Sequence, residues 1–116
     1  MEPNVSDLSY LKAFTGGKTE MMKMFIQTFL KTAESALVEI NQQLEARNWP
    51  DLRRVAHSLK PQLSYMGITM LAPVIVQIEE QAGNETALET MPALVAQLSA
   101  ITRQAMEELR KEAERL

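Results

Sequence analysis

Apolar residues recur every three or four positions through four stretches of this 116-residue chain, and this spacing constrains the fold more than any other feature. It places apolar side chains on one face of an α-helix, where they can pack against other helices. The longest stretch, residues 18–46, repeats Phe29, Ala33, Leu37 and Ile40 on such a face. No alternating pattern typical of a β-strand competes with it. The sequence therefore predicts an all-α protein.

Short connections between these stretches fix the order of the helices. Asn48 is a favourable N-cap and Pro50 suits the first turn of the helix that follows. Because this connection is short, the helices on either side of it must be antiparallel neighbours. A shorter apolar stretch that ends at Gly16-Gly17 adds one helix at the N-terminus. We expect an up-down-up-down four-helix bundle with a short extra N-terminal helix.

Length and composition indicate one globular domain. The chain contains 46% hydrophobic and 23% charged residues, as ordinary globular proteins do, and it is too short for two domains. We expect a single domain over residues 1–116, with its packed core at about residues 6–109. The nearly all-charged segment 110–116 is expected to project past the bundle or to fray.

The same composition argues against several functions. A net charge of −3 argues against nucleic acid as a partner. The absence of cysteine excludes disulfides and thiolate metal sites, and a single histidine argues against a zinc site. No apolar run approaches the ~20 residues of a membrane span, and the N-terminus lacks the pattern of a signal peptide. We expect a cytoplasmic protein with no membrane partner.

The only histidine, His57, lies in the predicted helix that follows Asn48. The apolar face of this helix consists of Leu52, Val55, Ala56, Leu59, Leu63 and Met66. His57 falls roughly 150° from the centre of that face, so its imidazole should be exposed to solvent. Arg53, Arg54 and Lys60 lie within about one turn of it and make the exposed face basic.

This arrangement is suited to carrying a phosphoryl group. A neutral imidazole nitrogen can attack phosphorus, and a fixed cation such as Lys60 can stabilise the oxygens of the transferred group. A lone exposed histidine is nevertheless most often a solvated surface residue, and charged neighbours alone change this little. The functional interpretation therefore depends on a wider pattern around the histidine.

That wider pattern resembles the signature of a known family. His57, Lys60 and Gly67 match the motif His-x-x-Lys-[Gly]-x5-Gly of histidine-containing phosphotransfer (HPt) domains, the relay modules of multistep two-component signalling. The usual glycine four residues after the histidine is replaced by Pro61, which has no backbone N–H for the carbonyl of His57. The resemblance covers about residues 6–109 and implies the same four-helix bundle.

The resemblance implies a function for the histidine and its helix. His57 would accept a phosphoryl group from an aspartyl phosphate on a receiver domain and pass it to another receiver aspartate. We expect Nε2 to be the nucleophile, because Nδ1 lies nearer the helix backbone. Lys60 would stabilise the phosphoryl group, and Gly67 would end the helix, where a left-handed backbone is unstrained for glycine.

The remaining exposed positions on this helix are candidates for contact with a partner. Pro61 and Ser64 are small and would leave room for an approaching receiver domain. Arg53, Arg54 and Ser64 are candidate residues of the partner surface. On the next helix, the adjacent pair 79–80, both glutamates, is expected to be solvated charge on the outer face.

Under this interpretation the protein is a phosphocarrier without kinase activity of its own. Its expected partners are response-regulator receiver domains and a hybrid sensor histidine kinase, and it is expected to be a monomer. It needs no cofactor or metal site of its own, because Mg²⁺ is expected from the partner receiver domain.

Two alternatives belong to other functional classes. The first is a helical adaptor for protein interaction in which His57 has no chemistry. The second is a histidine-kinase dimerisation helix pair, since residues 57–61, His-Ser-Leu-Lys-Pro, faintly resemble the motif His-Glu-x-[Lys/Arg]-x-Pro. In this chain the proline is one position early, a serine replaces the acidic residue, and no glycine-rich ATP-binding segment follows.

Overall fold

The computed structural model describes residues 4–116, and all of the regular structure in this range is helical. The helices are α1 (Ser9–Thr15), α2 (Thr19–Ala46), α3 (Trp49–Tyr65), α4 (Ala72–Asn84) and α5 (Met91–Arg115). A 3₁₀ turn precedes α4 at Thr69–Leu71, and another precedes α5 at Leu88–Thr90. None of these helices is both long enough and apolar enough to cross a membrane.

The four longer helices surround one hydrophobic core. α2 packs against α3 and α5, and α4 packs against the same two helices. Ile40, Leu59, Ile75 and Leu98 supply one fully buried side chain from each helix. Burying such a side chain contributes about 1.5–3 kcal/mol to folding. The predicted all-α bundle with a short extra N-terminal helix is confirmed.

The start of α3 follows from local sequence signals. The side-chain Oδ1 of Asn48 accepts a hydrogen bond from the backbone N–H of Asp51 at 3.3 Å, and Pro50 occupies the first turn. These contacts satisfy or remove backbone donors that would otherwise have no partner. α3 then continues through Pro61 to Tyr65 without a break. His57 therefore lies near the middle of a well-anchored helix.

The C-terminal end of α5 differs from the expectation for residues 110–116. The helix stays regular through Arg115, and Ala113 and Leu116 pack against the core. The predicted fraying or projection is wrong because these two residues, with Leu109, continue the apolar face at the i, i+4 and i+7 spacing. The charged residues between them occupy the outer face of the same helix.

The segment before α1 is tied to the far end of the chain. The Glu108 carboxylate on α5 accepts hydrogen bonds from the backbone N–H of Val5 at 2.9 Å and from the Ser6 hydroxyl at 2.6 Å. Burial alone would raise the pKa of Glu108, but the hydrogen bonds from Ser6, Val5 and Gln104 outweigh it and hold that pKa below its usual value. The ionised carboxylate thus anchors the N-terminal segment.

Candidate functional site

The imidazole of His57 projects from the outer face of α3 into solvent. Its side chain is 74% exposed, whereas Ala56 and Leu59 on the opposite face are fully buried. Pro61 and Ser64, one and two turns further along α3, are also exposed. The structure therefore places small side chains beside the histidine, and a macromolecular partner can approach the ring.

Glu79 on α4 holds one nitrogen of the imidazole. Its Oε2 lies 3.3 Å from His57 Nδ1. An ionised carboxylate can only accept hydrogen bonds, so the neutral imidazole carries its hydrogen on Nδ1 and keeps the lone pair on Nε2. The sequence interpretation also favoured Nε2 as the nucleophile, but for a different reason; in the structure, Nδ1 is the nitrogen that contacts Glu79.

Lys60 completes a three-residue cluster with His57 and Glu79. Its Nζ lies 3.9 Å from Glu79 Oε1, a distance that suits an ion pair but is too long for a hydrogen bond. Within residues 4–116, that Oε1 atom is buried and has no hydrogen-bond partner. The Lys60 ammonium is therefore near the carboxylate without being fixed to it, and it can turn towards a phosphoryl group.

Glu79 is the contact of the imidazole that the sequence interpretation missed. Its side chain is only 13% exposed, so the expectation of a solvated outer-face charge is wrong for Glu79, although Glu80 is exposed as expected. Glu79 follows the buried Ile78 and lies at the seam where α4 packs against α3. The spacing within α4 identifies its apolar face, but it does not show which neighbouring helix covers the edge of that face.

The two arginines before His57 point to different neighbours. Arg54 donates a hydrogen bond to Glu39 of α2 at 2.8 Å and lies 3.6 Å from Asp51. The hydrogen bond to Glu39 raises the pKa of the Arg54 guanidinium above its already high value. Arg53 instead extends towards α4, where it crosses Gly83. Arg53 and Lys60 therefore share the α4 side of His57, and Arg54 lies on the α2 side.

Gly67 lies just beyond α3, at the end of the bundle rather than beside the imidazole. Its backbone is left-handed, with φ +68°, as expected for a glycine that ends a helix. The N-terminal segment packs directly on it, and the Asp7 N–H donates to the carbonyl of Met66 at 3.0 Å. Gly67 thus positions the helix end and the segment before α1.

An exposed aromatic cluster, which the sequence interpretation did not identify, continues the surface beyond Ser64. It consists of the exposed Tyr10 and Phe14 of α1 and Tyr65 of α3, together with the partly buried Phe25 of α2. Tyr10 stacks on Tyr65 with ring centroids 5.8 Å apart, although the Tyr10 side chain is 53% exposed and Tyr65 is 47% exposed. Tyr65 lies about 12 Å along α3 from His57, at about 1.5 Å per residue. The cluster and the histidine can therefore contact the same partner.

The residues around His57 do not fit a magnesium site. Mg²⁺ requires several oxygen ligands in octahedral geometry. The carboxylate that contacts the imidazole, Glu79, is already shared with Lys60. Within the part of the chain that the structure describes, no three His, Cys, Asp or Glu side chains form a group that could hold a metal ion.

Together the fold and the site define a class of protein. An exposed imidazole has one nitrogen held by a carboxylate, the other nitrogen free and a lysine beside it, all on the side of a four-helix bundle. A nitrogen nucleophile with a nearby cation is what a histidine phosphocarrier requires.

The comparisons with known proteins identify the family. The Hpt domain family model matches residues 24–116, and the chain belongs to this family. The crystal structure of histidine-containing phosphotransfer protein B from Pseudomonas aeruginosa PAO1 has a TM-score of 0.87, with 25% sequence identity over 99% of each chain. A search of curated proteins found no match.

The function of the chain is therefore histidine phosphotransfer in a phosphorelay. Its partners belong to the classes with which Hpt domains exchange phosphoryl groups, namely response-regulator receiver domains and kinases. These findings give no support to the adaptor interpretation or to the kinase-dimerisation interpretation.

Proposed function

We propose that His57 is the phosphoryl acceptor of this Hpt domain and that it relays the group between aspartates of two receiver domains. The observation that carries the proposal is the contact between Nδ1 and the Glu79 carboxylate at 3.3 Å. This contact leaves the lone pair of Nε2 in solvent, where an aspartyl phosphate can reach it. Lys60 lies on the same side and is available to the phosphoryl oxygens.

The transfer step follows from this arrangement. Nε2 forms a bond to phosphorus while the bond from phosphorus to the aspartate oxygen breaks, and the aspartate leaves with the electron pair. The imidazole becomes positively charged and keeps its proton on Nδ1, where Glu79 stabilises it. Lys60 stabilises the phosphoryl oxygens. In the onward step a second aspartate attacks phosphorus, and Nε2 is the leaving group.

The rest of the reaction machinery is assigned to the partner. Mg²⁺ is a hard cation that binds carboxylate and phosphate oxygens, so we assign it to the acidic site of the receiver domain. This chain then acts as a carrier without kinase activity. We further propose that it works as a monomer in the cytoplasm and that a hybrid sensor kinase is one phosphoryl source.

A labelling experiment tests His57 as the acceptor. The chain is incubated with Mg²⁺ and a receiver domain that carries labelled phosphate. We expect a label that is lost in acid, retained in base, and located on His57 by mass spectrometry. An acid-stable label, a label on another residue, or no label on a chain shown to be folded by circular dichroism would contradict the proposal.

Glu79→Ala is expected to slow phosphotransfer more than Glu79→Gln. Alanine removes both the charge and the acceptor for Nδ1–H, whereas the glutamine carbonyl can still accept that hydrogen bond. We expect losses of about 100-fold for alanine and about tenfold for glutamine, in the range found when groups that orient a histidine are removed. Single-turnover transfer from a labelled receiver measures both rates.

The neighbouring exposed glutamate provides the control for these variants. Glu80→Ala makes the same chemical change one residue away and should leave the rate within about twofold, as surface substitutions usually do. A Glu79→Ala variant as fast as the Glu80→Ala variant would remove Glu79 from the transfer step.

We propose that the aromatic cluster receives the partner receiver domain together with Arg53, Arg54 and Ser64. The cluster is continuous with the histidine surface along α3, and the rings of Tyr10, Phe14 and Tyr65 are exposed although they are large. Exposed tyrosines of this kind often supply a large part of the binding energy of an interface. The receiver would then contact α1 and α3 while its aspartate reaches Nε2.

Tyr65→Ala is expected to weaken transfer from a receiver domain by about tenfold, mainly through KM, as truncation of an interface tyrosine does. Phosphorylation by a small donor such as phosphoramidate should stay unchanged, because that donor does not contact the cluster. Val38→Ala removes a similarly exposed apolar side chain from α2 and serves as the control. Equal loss with both donors would show that Tyr65 acts on the histidine or on the fold instead.

A further inference from the structure

The starting observation is the contact between Arg53 and Gly83. A Cβ atom on Gly83 would lie 2.9 Å from Arg53 Nε and 3.1 Å from Arg53 Cδ. These distances are shorter than packed atoms tolerate, so any side chain at position 83 would displace the arginine. Gly83 lies inside α4 and is not among the residues with a left-handed backbone, so the backbone itself does not require glycine. The glycine provides the space in which Arg53 crosses the helix.

Arg53 is exposed and unpaired, in contrast to Arg54. Within residues 4–116, Arg53 has no ion pair and no hydrogen bond through its side chain. Arg54 is bound to Glu39 and lies near Asp51. The guanidinium of Arg53 is thus a free cation beside the site, whereas that of Arg54 is already neutralised by two carboxylates.

Arg53 and Lys60 flank the imidazole along the axis of α3, and both lie on its α4 side. Arg53 lies four residues before His57 and Lys60 lies three residues after it. At about 100° per residue, the two cations are rotated by about 40° and 60° from His57 in the same direction, towards α4. Arg53 and His57 line the same shallow depression, together with Pro50 and Arg54. A phosphoryl group on Nε2 therefore has one cation before it and one after it along the helix.

The packing of α3 on α4 supports this register. The two helices are antiparallel, and His57 of α3 contacts Glu79 of α4. One turn away, Arg53, four residues before His57, contacts Gly83, four residues after Glu79. Lys60 is partly engaged by Glu79 at 3.9 Å, so its charge is shared with a carboxylate. Arg53 has no such competitor, and its planar group can donate two parallel hydrogen bonds to phosphate oxygens.

We propose that Arg53 is a second phosphoryl-binding cation of the transfer step and that Gly83 is its positioning residue. The proposal rests on the proposed function, since it needs a phosphoryl group on His57. Nε2 still forms the bond to phosphorus and the donor still leaves with its electron pair. The guanidinium keeps all its protons and only stabilises the charge on the phosphoryl oxygens.

Phosphoramidate as the donor separates this role from receiver docking. The imidazole attacks phosphorus, the phosphorus–nitrogen bond of the donor breaks, and ammonia leaves. Arg53→Ala is expected to slow this reaction by about tenfold, because one charge-assisted contact to the phosphoryl group is lost. Arg103→Ala, the matched control on α5, should change the rate by less than about twofold, because the Arg103 guanidinium lies on another helix and already donates a hydrogen bond to Glu34 at 2.9 Å. Arg53→Lys should recover part of the loss.

Gly83→Ala tests the positioning role without removing the arginine. Alanine is a better helix former than glycine, so the fold should be retained or stabilised. We expect a slowing similar to that of Arg53→Ala, and no further slowing when the two changes are combined. The ³¹P chemical shift of phosphohistidine should also move in Arg53→Ala and Gly83→Ala but not in Arg103→Ala.

The outcomes distinguish this proposal from the proposed function. A normal phosphoramidate rate in Arg53→Ala, with the label still on His57, would overturn the role of Arg53 and leave His57 as the acceptor. If Arg53→Ala slows transfer from a receiver domain but not from phosphoramidate, Arg53 is a docking residue, and this result would also overturn its role in binding the phosphoryl group. Slowing by Gly83→Ala in the Arg53→Ala background would show that Gly83 does not act through the arginine. No label on His57 of the unmodified chain would remove the proposed function itself.

Discussion

His57→Gln is expected to abolish phosphorylation of the chain while leaving its fold intact. The glutamine amide nitrogen is not a nucleophile, so the rate of label uptake should fall by at least about 10³-fold. The side chain is 74% exposed, and the free energy of unfolding should therefore change by less than about 0.5 kcal/mol. Label uptake from a charged receiver and a urea denaturation curve measure the two quantities on the same preparation.

Ser58→Ala is the control for this variant because it changes an exposed side chain of α3 that belongs neither to the site nor to the partner surface. It should keep most of the transfer rate. The chain has no second histidine, so any label that survives in His57→Gln must lie on another residue type. A base-labile label on the variant at the normal rate would place the acceptor on a carboxylate and contradict the assignment of His57.

Sequence features predicted the helices and the place of the histidine because these depend on local interactions. The cap at Asn48 and the proline at position 50 define where α3 begins, and the spacing of its apolar residues determines that His57 faces outward. Each of these signals acts within about two turns of helix. They are therefore visible in the chain before any tertiary contact is known.

The partner of the imidazole could not be predicted in this way. Glu79 is 22 residues from His57, and its position depends on which face of α4 packs against α3. The same limit applies to Arg53 and Gly83, whose contact also joins these two helices. A charged residue at the edge of an apolar face has the same local pattern whether it lies in solvent or at a helix seam.

The N-terminal segment shows most clearly that local sequence patterns do not reveal contacts between distant residues. Val5 and Ser6 bind Glu108, more than 100 residues away in the chain, and Asp7 packs on Gly67. None of these pairs has a spacing that a helical pattern would reveal. For Gly67, the sequence predicted a left-handed helix end, but it did not predict that another segment lies where a side chain would be.

Gly67→Ala is accordingly expected to cost more stability than a left-handed backbone alone would explain. With φ at +68°, alanine is strained by about 1–2 kcal/mol. Its Cβ would also lie 2.8 Å from the backbone N of Asp7, and closer still to the Asp7 carbonyl oxygen. Asp7 would have to move and weaken its hydrogen bond to Met66. We expect a total loss of about 3–4 kcal/mol in the free energy of unfolding, measured by urea denaturation.

Gly17→Ala separates the two contributions. Gly17 is also left-handed, with φ +75°, but a Cβ there would meet nothing within 4 Å. Its alanine variant should therefore lose only the backbone part, about 1–2 kcal/mol. The difference between the variants measures the contact between Gly67 and the N-terminal segment. Equal losses would mean that this segment moves aside freely, in which case its hydrogen bonds to Glu108 and Met66 contribute little to holding it against the bundle.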